Sequence, residues 1–170
     1  MDFLQLAADR YSVRKFKDTP VPRELIDKVL KAGQLAPTAC NFQPQKILAV
    51  CSAEGLAKLK KCTDCHFNAP LALIVCYDGS RCWTRPFDGK SSGDVDASIV
   101  TTHLTLAAAD LGLGSTWVMF FKPDAVKAEF ALPEGIEPVA ILPMGYPADD
   151  AAPSPKHGES RPMEDMAEFV

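Results

Sequence analysis

The feature that most constrains the fold is a continuous apolar run near the middle of the chain. Leu71 to Tyr77 contains no charged side chain and has the length of one strand rather than of a helix. A half-buried strand would alternate between apolar and polar residues, whereas a strand that is apolar at every position is covered on both faces. We therefore predict a central strand at 71–77, with other elements packed on both sides of its sheet.

Shorter patterns on either side of this run predict the other elements. Helices are expected at residues 2–8, from Pro22 to about Gly33, at 54–61, from Ser91 or Ser92 to Gly112, at 123–130 and after Pro162. Strands are expected at 46–51, 115–119 and 137–144. Because these elements alternate without regular βαβ spacing, they favour an α+β domain with a mixed sheet. Neither a repeat nor a linker interrupts them, so we predict a single domain over residues 1–170.

The predicted long helix after Ser92 shows the clearest periodicity. Asp94 and Asp96 fall in its first turn, where the helix dipole favours acidic side chains. Residues that recur every three or four positions predict its apolar face, and they are Val95, Ile99, Thr102, Leu106 and Ala109.

The charge of the chain argues against two classes of partner. Its 170 residues carry a net charge of −4 and contain no block of basic residues, whereas nucleic acids and anionic membranes are bound by basic patches. The longest apolar run, Ala69–Tyr77, is about half of the ~20 residues that a membrane-spanning helix needs. We therefore expect neither a nucleic-acid partner nor a membrane segment.

The N-terminal residues and the cysteines indicate a cytoplasmic protein. Asp2, Asp9 and Arg10 stand where a secretory signal would have positive charge followed by a long apolar stretch. The six cysteines, at positions 40, 51, 62, 65, 76 and 82, are then expected to be reduced. Of these, Cys51 and Cys76 lie in apolar, strand-like runs and are predicted to be buried.

The segment Cys62-Thr-Asp-Cys65-His66 has the spacing of a c-type haem attachment site. Haem attachment requires export, and a zinc site needs about four ligands where only three are local here. We therefore expect no metal site and interpret Cys62 and Cys65 as surface thiols at the end of a helix. A haem-bearing electron carrier stays as an alternative, which an absorption spectrum would detect.

Arg10, Ser12 and Arg14 form a stronger candidate site. Alternate residues of an extended segment point to the same side, so these three side chains would share one face. Two guanidinium groups and a hydroxyl on one face can bind an anion, because the planar donor fork of arginine matches the oxygens of a phosphate. A charged surface segment without a ligand is the alternative.

The loop Ala36–Pro44 is the second candidate. It follows a predicted helix and contains the two carboxamides of Asn41 and Gln43. A carboxamide carries both a donor and an acceptor, which suits a heterocycle with alternating C=O and N–H groups such as the pyrimidine edge of a flavin. A solvated turn is the alternative interpretation of the same residues.

Taken together, these segments resemble the nitroreductase family of FMN-dependent oxidoreductases. The similar motifs, in family order, are Arg10-Tyr-Ser-Val-Arg-Lys-Phe16, Ala36-Pro-Thr-Ala-Cys-Asn-Phe-Gln-Pro44, Asn68-Ala-Pro-Leu71, Asp96, Gly112-Leu-Gly-Ser-Thr-Trp-Val118, Pro143-Met-Gly-Tyr-Pro147 and Ser160-Arg-Pro162. They span nearly the whole chain, which at 170 residues looks like a short member of the family.

The resemblance implies an α+β fold with a mixed, mainly antiparallel sheet flanked by helices. It also implies a homodimer with one non-covalent, tightly bound FMN in each of two interface clefts. The residues that would contact FMN are Arg10, Tyr11, Ser12, Arg14, Pro37, Thr38, Asn41, Gln43, Trp117, Val118, Met119 and Arg161. Arg10, Ser12 and Arg161 would hold the phosphate and ribityl chain.

The remaining contacts would surround the flavin ring. Arg14 would lie near the N1/O2 edge, where a cation stabilises the reduced ring. The residues from Pro37 to Gln43 would line the ring, and the backbone of 117–119 would approach its other face and N5. No side chain would be catalytic, because the flavin carries the hydride chemistry.

The implied activity is NAD(P)H-dependent reduction of electron-poor acceptors, such as nitroaromatics or quinones, by a ping-pong hydride mechanism. A protein that binds or remodels flavin without NAD(P)H turnover is the alternative. The loop 81–93, rich in aromatic residues and arginine, would either stack over a flat acceptor or be buried against the partner chain.

Two positions depart from the family pattern. Gln45 stands where the family has a tryptophan, which removes an aromatic side chain behind the ring loop. Glu159 stands where many relatives have a base. The phosphate would then rely on Arg10 and Arg161, with Lys156 or His157.

Overall fold

The computed structural model describes residues 2–170, and its centre is a four-stranded sheet. The strands are β1 (Gln45–Val50), β2 (Leu71–Asp78), β3 (Gly114–Ser115) and β4 (Ile136–Gly145). Their order across the sheet is β1-β2-β4-β3, and each neighbouring pair is antiparallel. A parallel bridge joins Ser12 to Ser115 at the β3 edge, so the predicted mainly antiparallel α+β fold is confirmed.

Five α-helices surround the sheet. They are α1 (Phe3–Asp9), α2 (Arg23–Gln34), α3 (Ala53–Cys62), α4 (Gly93–Asp110) and α5 (Pro123–Glu129). Single 3₁₀ turns occur at Ala39–Asn41, Gly79–Arg81, Pro155–Gly158 and Met163–Asp165. None of the helices in the described part of the chain is long and apolar enough to cross a membrane.

β2 is covered on both faces, as its apolar sequence predicts. Leu71, Leu73 and Val75 face a core shared with α2 and α4. Ala72, Ile74 and Cys76 face a second core on the other side of the sheet, formed with α3 and α5. Every position from 71 to 76 is buried, because alternate residues of a strand point to opposite faces and each face has its own layer of helices.

The predicted apolar face of α4 is wrong. The core contains Ala97, Val100, Leu104 and Ala108 instead, while Val95 and Thr102 are exposed. The reason lies in the composition of the helix, which has apolar or small residues on every side. Such a helix offers two equally regular stripes, and periodicity alone cannot tell which one faces the sheet.

The predicted strand 115–119 is also only partly correct. β3 ends at Ser115, and a single bridge between Val118 and Ile141 pairs the chain with β4 again. Between them, Thr116 and Trp117 leave the regular ladder.

The cysteines differ from expectation at two positions. Cys76 is fully buried as predicted, but Cys51 lies just beyond the edge strand β1 and is exposed. Cys62 is fully buried among Leu59 and the second core, so the predicted pair of surface thiols is wrong. Its burial raises the pKa of the Cys62 thiol.

Candidate functional site

The loop from Ala36 to Pro44 connects α2 to β1 in an unusual conformation. Cys40, Asn41 and Gln43 have φ values of 50°, 55° and 50°, in the left-handed region that favours glycine. Asparagine tolerates this region, but cysteine and glutamine do so at a cost of about 1–3 kcal/mol each. Such strain persists only where the surroundings over-determine the conformation, and it concentrates at ligand-binding sites.

Hydrogen bonds to Thr38 close this loop on itself. The Thr38 Oγ1 accepts from the backbone N–H of Gln43 at 3.1 Å, and its carbonyl accepts from the N–H of Asn41 at 3.0 Å. The carbonyl of Pro44 accepts from the N–H of Asp78 at 2.8 Å, which ties the loop to β2. The side chains of Asn41 and Gln43 are left exposed, as a ligand-binding role requires.

Asp96 attaches the same loop to α4. Its Oδ1 accepts a hydrogen bond from the backbone N–H of Ala39 at 2.8 Å, and its Oδ2 accepts one from the hydroxyl of Ser92 at 2.7 Å. The side chain is only 1% exposed. The sequence placed Asp96 in the first turn and in the family pattern but did not reveal this contact. The sequence contains one signal for this contact, because Asp96 stands four residues before Val100 on the face of α4 that is buried in the structure.

The N-terminal segment that carries Ser12 and Arg14 runs beside β3. The N–H of Val13 donates to the carbonyl of Ser115 at 3.0 Å, beside the parallel bridge from Ser12. Val13 is buried in the core and Arg14 is exposed. The extended segment therefore turns Ser12 and Arg14 to the side opposite Val13, as the alternation predicted.

Arg10 and Tyr11 stand beside a small cavity. The cavity, about 180 Å³, is lined by both residues together with Thr105, Ala109 and Gly112. Tyr11 also contacts the tail, because its hydroxyl donates to the carbonyl of Ala151 at 3.4 Å.

The segment 117–119 has one free backbone donor among its last two residues. Val118 uses both of its backbone groups on Ile141, donating at 2.9 Å and accepting at 3.0 Å. Met119 is exposed, and within residues 2–170 its N–H has no hydrogen-bond acceptor. The indole N–H of Trp117 is buried, likewise with no acceptor in the described chain. The backbone N–H groups of Trp117 and Met119, neither of which has an acceptor within residues 2–170, can therefore donate to a ligand.

A second cavity, of about 460 Å³, lies next to Met119. Met119 and Phe120 form an exposed apolar wall, and Lys60 and Lys122 lie at its rim. Its lining combines apolar side chains with the charged groups of Lys60, Lys61, Lys122 and Asp64, a composition that suits a partly apolar, partly charged ligand.

The structure separates the predicted site residues into two groups. Ala39 is bonded to Asp96 in the first turn of α4, whereas Arg10 and Ala109 share a cavity at the last turn. Asp96 and Ala109 are 13 residues apart in sequence, about 20 Å along the helix at 1.5 Å per residue. Within one chain, the 36–44 loop and the N-terminal arginines lie at opposite ends of α4.

Arg161 stands apart from both groups. It lies on the C-terminal tail, where every residue from 152 to 170 is exposed. Within the described chain its side chain makes no hydrogen bond and no ion pair. The tail contacts the N-terminal segment through His157. The ring of His157 packs edge-on against the ring of Tyr11, with the ring centroids 6.2 Å apart. The Nε2 of His157 lies 2.9 Å from the carbonyl oxygen of Ala8.

Gln45 and Glu159, the two positions that depart from the family motifs, lie in different surroundings. The Oε1 of Gln45 is buried and has no hydrogen-bond donor among residues 2–170. Gln45 lines a cavity together with Gln43, Lys31 and Arg81. Glu159 is exposed on the tail near Arg161 and makes no ion pair there within the part of the chain described.

Comparison with known proteins shows which family the chain belongs to. The model of the nitroreductase family matches residues 7–73 and 66–146 of this chain. The chain belongs to the nitroreductase family. The chain is 34% identical over 157 residues to a protein of Methanothermobacter thermautotrophicus named a putative NADH dehydrogenase/NAD(P)H nitroreductase, covering 88% of this chain and 80% of the relative. It is 27% identical over 173 residues to a Bacillus subtilis protein named FMN reductase [NAD(P)H], covering 91% of this chain and 70% of the relative.

A solved structure has the same fold. The crystal structure of a nitroreductase family protein from Clostridium difficile 630 superposes with a TM-score of 0.93, at 43% identity and over 99% of this chain and 98% of that one. The predicted family is therefore confirmed. The prediction of an oxidoreductase that uses FMN and NAD(P)H agrees with the names of the two relatives.

Proposed function

We propose that this protein is an FMN-dependent oxidoreductase that oxidises NAD(P)H and reduces electron-poor acceptors, such as nitroaromatics or quinones, by a ping-pong mechanism. The observation that carries the proposal is the strained 36–44 loop, which is fixed by a hydrogen bond to the buried carboxylate of Asp96 yet leaves its two carboxamides exposed. A protein maintains that arrangement where it binds a ligand.

The residues present fit FMN. Arg10, Ser12 and Arg14 supply cationic and hydroxyl donors for a phosphate and for the electron-rich edge of a ring. Asn41 and Gln43 offer both donors and acceptors to a pyrimidine edge. The free N–H of Met119 and the cavity beside it supply a backbone donor and room for a flat ring.

FMN, when bound, supplies the hydride chemistry, and the chain supplies position and electrostatics. Arg14 provides a fixed positive charge that favours the reduced, anionic ring. The exposed side chains of Met119 and Phe120 offer an apolar surface to flat partners. NAD(P)H and the acceptor would use the same slot in turn, and the basic rim from Lys60 and Lys122 favours ligands that carry negative charge.

We also propose that the working unit is a homodimer with FMN in each interface cleft. The two groups of site residues lie about 20 Å apart along α4 of one chain, so a second chain is needed to bring them together. α4 also carries apolar side chains that its own chain does not fully cover, because Val95 is exposed beside Thr102, and Ile99 and Leu106 are only half-buried. A helix that is apolar all round is normally covered on all sides.

The C-terminal tail supports the same assembly. Its exposed apolar side chains recur at Met163, Met166 and Phe169, on a segment whose contacts with its own chain are few. A tail of this kind is ordered when it lies on another surface. In the proposed dimer it lies on the partner chain, and Arg161 reaches the phosphate there.

Two alternatives make different predictions. A flavin-binding protein without turnover would have the same loop and arginines but would not oxidise NAD(P)H. The haem alternative conflicts with the structure, because the Cys62 sulfur is buried and donates to the carbonyl of Lys58, and the His66 Nδ1 accepts from the N–H of Asn68 at 2.9 Å. No cluster of three or more metal-ligating side chains occurs among residues 2–170.

The cytoplasmic location is part of the proposal. All six cysteines are free thiols in the structure, and two of them, Cys40 and Cys51, are exposed. Exposed free thiols suit a reducing compartment.

Steady-state oxidation of NADH and NADPH by the purified protein, with a quinone as acceptor, tests the activity. We expect turnover that needs both substrates and shows the parallel double-reciprocal lines of a ping-pong mechanism. Tight FMN binding without NAD(P)H oxidation would favour the flavin-binding alternative. Failure to bind FMN would contradict both.

A further inference from the structure

Asp96 is a buried carboxylate without a cationic partner. It is 1% exposed, and within the described chain no lysine, arginine or histidine forms an ion pair with it. Burying a charge is costly unless hydrogen bonds or dipoles compensate it. Here the compensation comes from the N–H of Ala39, the hydroxyl of Ser92 and the N-terminal turn of α4.

What Asp96 holds is the strained part of the 36–44 loop. The hydrogen bonds to Thr38 lie inside the loop, whereas the bonds at Ala39 and Pro44 connect it to α4 and β2. These two anchors stand on either side of the residues with positive φ at 40, 41 and 43. Loss of the Ala39 anchor would leave those residues free to relax toward ordinary backbone conformations.

The first turn of α4, which carries Asp96, is tightly packed against the sheet. Gly93 begins α4 directly against the ring of Tyr77, where an added Cβ would lie 2.6 Å from the ring. Tyr77 belongs to β2, the central strand. The position of Asp96 is therefore set by the sheet rather than by a loop.

Ser92 extends the connection to the segment 82–92. Its N–H donates to the carbonyl of Trp83 at 2.9 Å, and its Oγ accepts from the N–H of Trp83 at 3.2 Å while donating to Asp96. Thr84 and Ser91 form a bridge just beyond, which closes the segment into a hairpin with Phe87 exposed near its tip. One hydroxyl thus joins the hairpin to the residue that holds the loop.

We propose that Asp96 is a positioning residue for the flavin, which fixes the 36–44 loop through Ala39 and links it to the 82–92 hairpin through Ser92. The proposal rests on the proposed function, because it takes the loop to be a flavin contact. Asp96 itself does not reach the ligand. It acts by keeping Asn41 and Gln43 in the conformation that binds.

The variant Asp96→Asn isolates this role. An asparagine can still accept from the N–H of Ala39 through its oxygen, but its NH₂ group would face Ser92 Oγ, which already accepts from Trp83. The Oγ of Ser92 can accept from both N–H groups, but its own O–H would lose Asp96 Oδ2 as its acceptor, and the charge that strengthens both bonds is lost. Asp94→Asn is the matched control, because Asp94 is an exposed acid in the same helical turn.

Hydrogen exchange of the backbone amides in 36–44, measured on the protein without added flavin, tests the anchor. We expect faster exchange in Asp96→Asn, beginning at Ala39, and wild-type rates in Asp94→Asn at an equal melting temperature. Equal rates in the two variants would overturn the proposal. This measurement does not depend on whether the protein binds FMN.

The dissociation constant of FMN, measured by fluorescence quenching, tests the consequence for the ligand. Asp96→Asn should weaken FMN binding about tenfold or more, the scale of one charge-assisted hydrogen bond, while Asp94→Asn stays within about twofold. Ser92→Thr, which keeps the hydroxyl, should bind FMN better than Ser92→Ala. A loosened loop with unchanged FMN affinity would overturn the positioning role. If the wild type binds no FMN, the proposed function fails, and the exchange measurement still decides the anchor.

Discussion

The side chain of Val13 lies directly against the backbone of Gly114, where an added Cβ would approach Val13 Cγ2 to 2.5 Å. This contact seats the N-terminal segment on β3 and so positions Ser12 and Arg14. Gly114→Ala should destabilise the fold by about 1–3 kcal/mol, because it overpacks a buried contact. It should also weaken FMN binding by displacing the arginine segment. Urea unfolding and FMN titration measure the two effects. Gly158→Ala is the control, since no atom lies within 4 Å of its added Cβ.

Arg10 and Arg161 are predicted to bind the phosphate of FMN. Arg10→Ala and Arg161→Ala should each weaken FMN binding at least about tenfold, the loss of one charge-assisted hydrogen bond. Melting temperatures of the FMN-free proteins should change little, because Arg161 is exposed and Arg10 makes no ion pair within residues 2–170. Arg23→Ala, which removes an exposed arginine paired with Asp27, is the control. FMN contents equal to the wild type in both variants would exclude the phosphate assignment.

Thr102 lies at the centre of the exposed side of α4, between Ile99 and Leu106. In a single chain Thr102→Glu would place a charge in water at little cost, but in the proposed dimer it would bury that charge. We therefore expect Thr102→Glu to dissociate the dimer and to lose FMN, as measured by sedimentation velocity. Thr19→Glu makes the same change at an exposed loop position and should remain dimeric. A dimeric Thr102→Glu variant would place the interface elsewhere.

Cys40 is exposed within the proposed flavin loop, while Cys51 is exposed at the far end of β1. FMN should slow the alkylation of Cys40 by iodoacetamide and leave that of Cys51 unchanged, as followed by peptide mass spectrometry. Cys76 serves as an internal control, because burial raises its pKa to about 12 and keeps it protonated and unreactive in the native protein. Equal Cys40 rates with and without FMN would contradict the placement of the loop on the flavin.

The sheet could be predicted from sequence because its signal is local. The apolar run at 71–77 specifies a strand buried on both faces, and Leu71–Cys76 is buried in that way. The side of α4 that faces the core could not be predicted, since Ala97 and Val100 are no more apolar than Val95 and Ile99. That choice is made by tertiary packing and, in the proposed dimer, by a second chain.

For the candidate site, the sequence supplies residue types suited to FMN but not their geometry. The alternation of Ser12 and Arg14 around a buried Val13 follows from extended backbone, and the structure has it. The positive φ angles at Cys40 and Gln43 could not be foreseen, because neither residue favours them and their support comes from Asp96, more than fifty positions later. The separation of the site into two groups depends on the position of α4 in the folded chain.

The central claim is that each FMN is held by the N-terminal arginine segment of one chain and the 36–44 loop of another. Mixing two defective variants tests it most directly. Arg10→Ala and Asn41→Ala chains, each unable to retain FMN alone, are unfolded together, refolded as hybrids and assayed for bound FMN. If the site is shared, one of the two clefts in a hybrid carries both substitutions and the other carries neither, so FMN binding returns at about half of the hybrid's sites with wild-type affinity. If both groups came from the same chain, every cleft would carry one substitution, and no mixture would recover FMN.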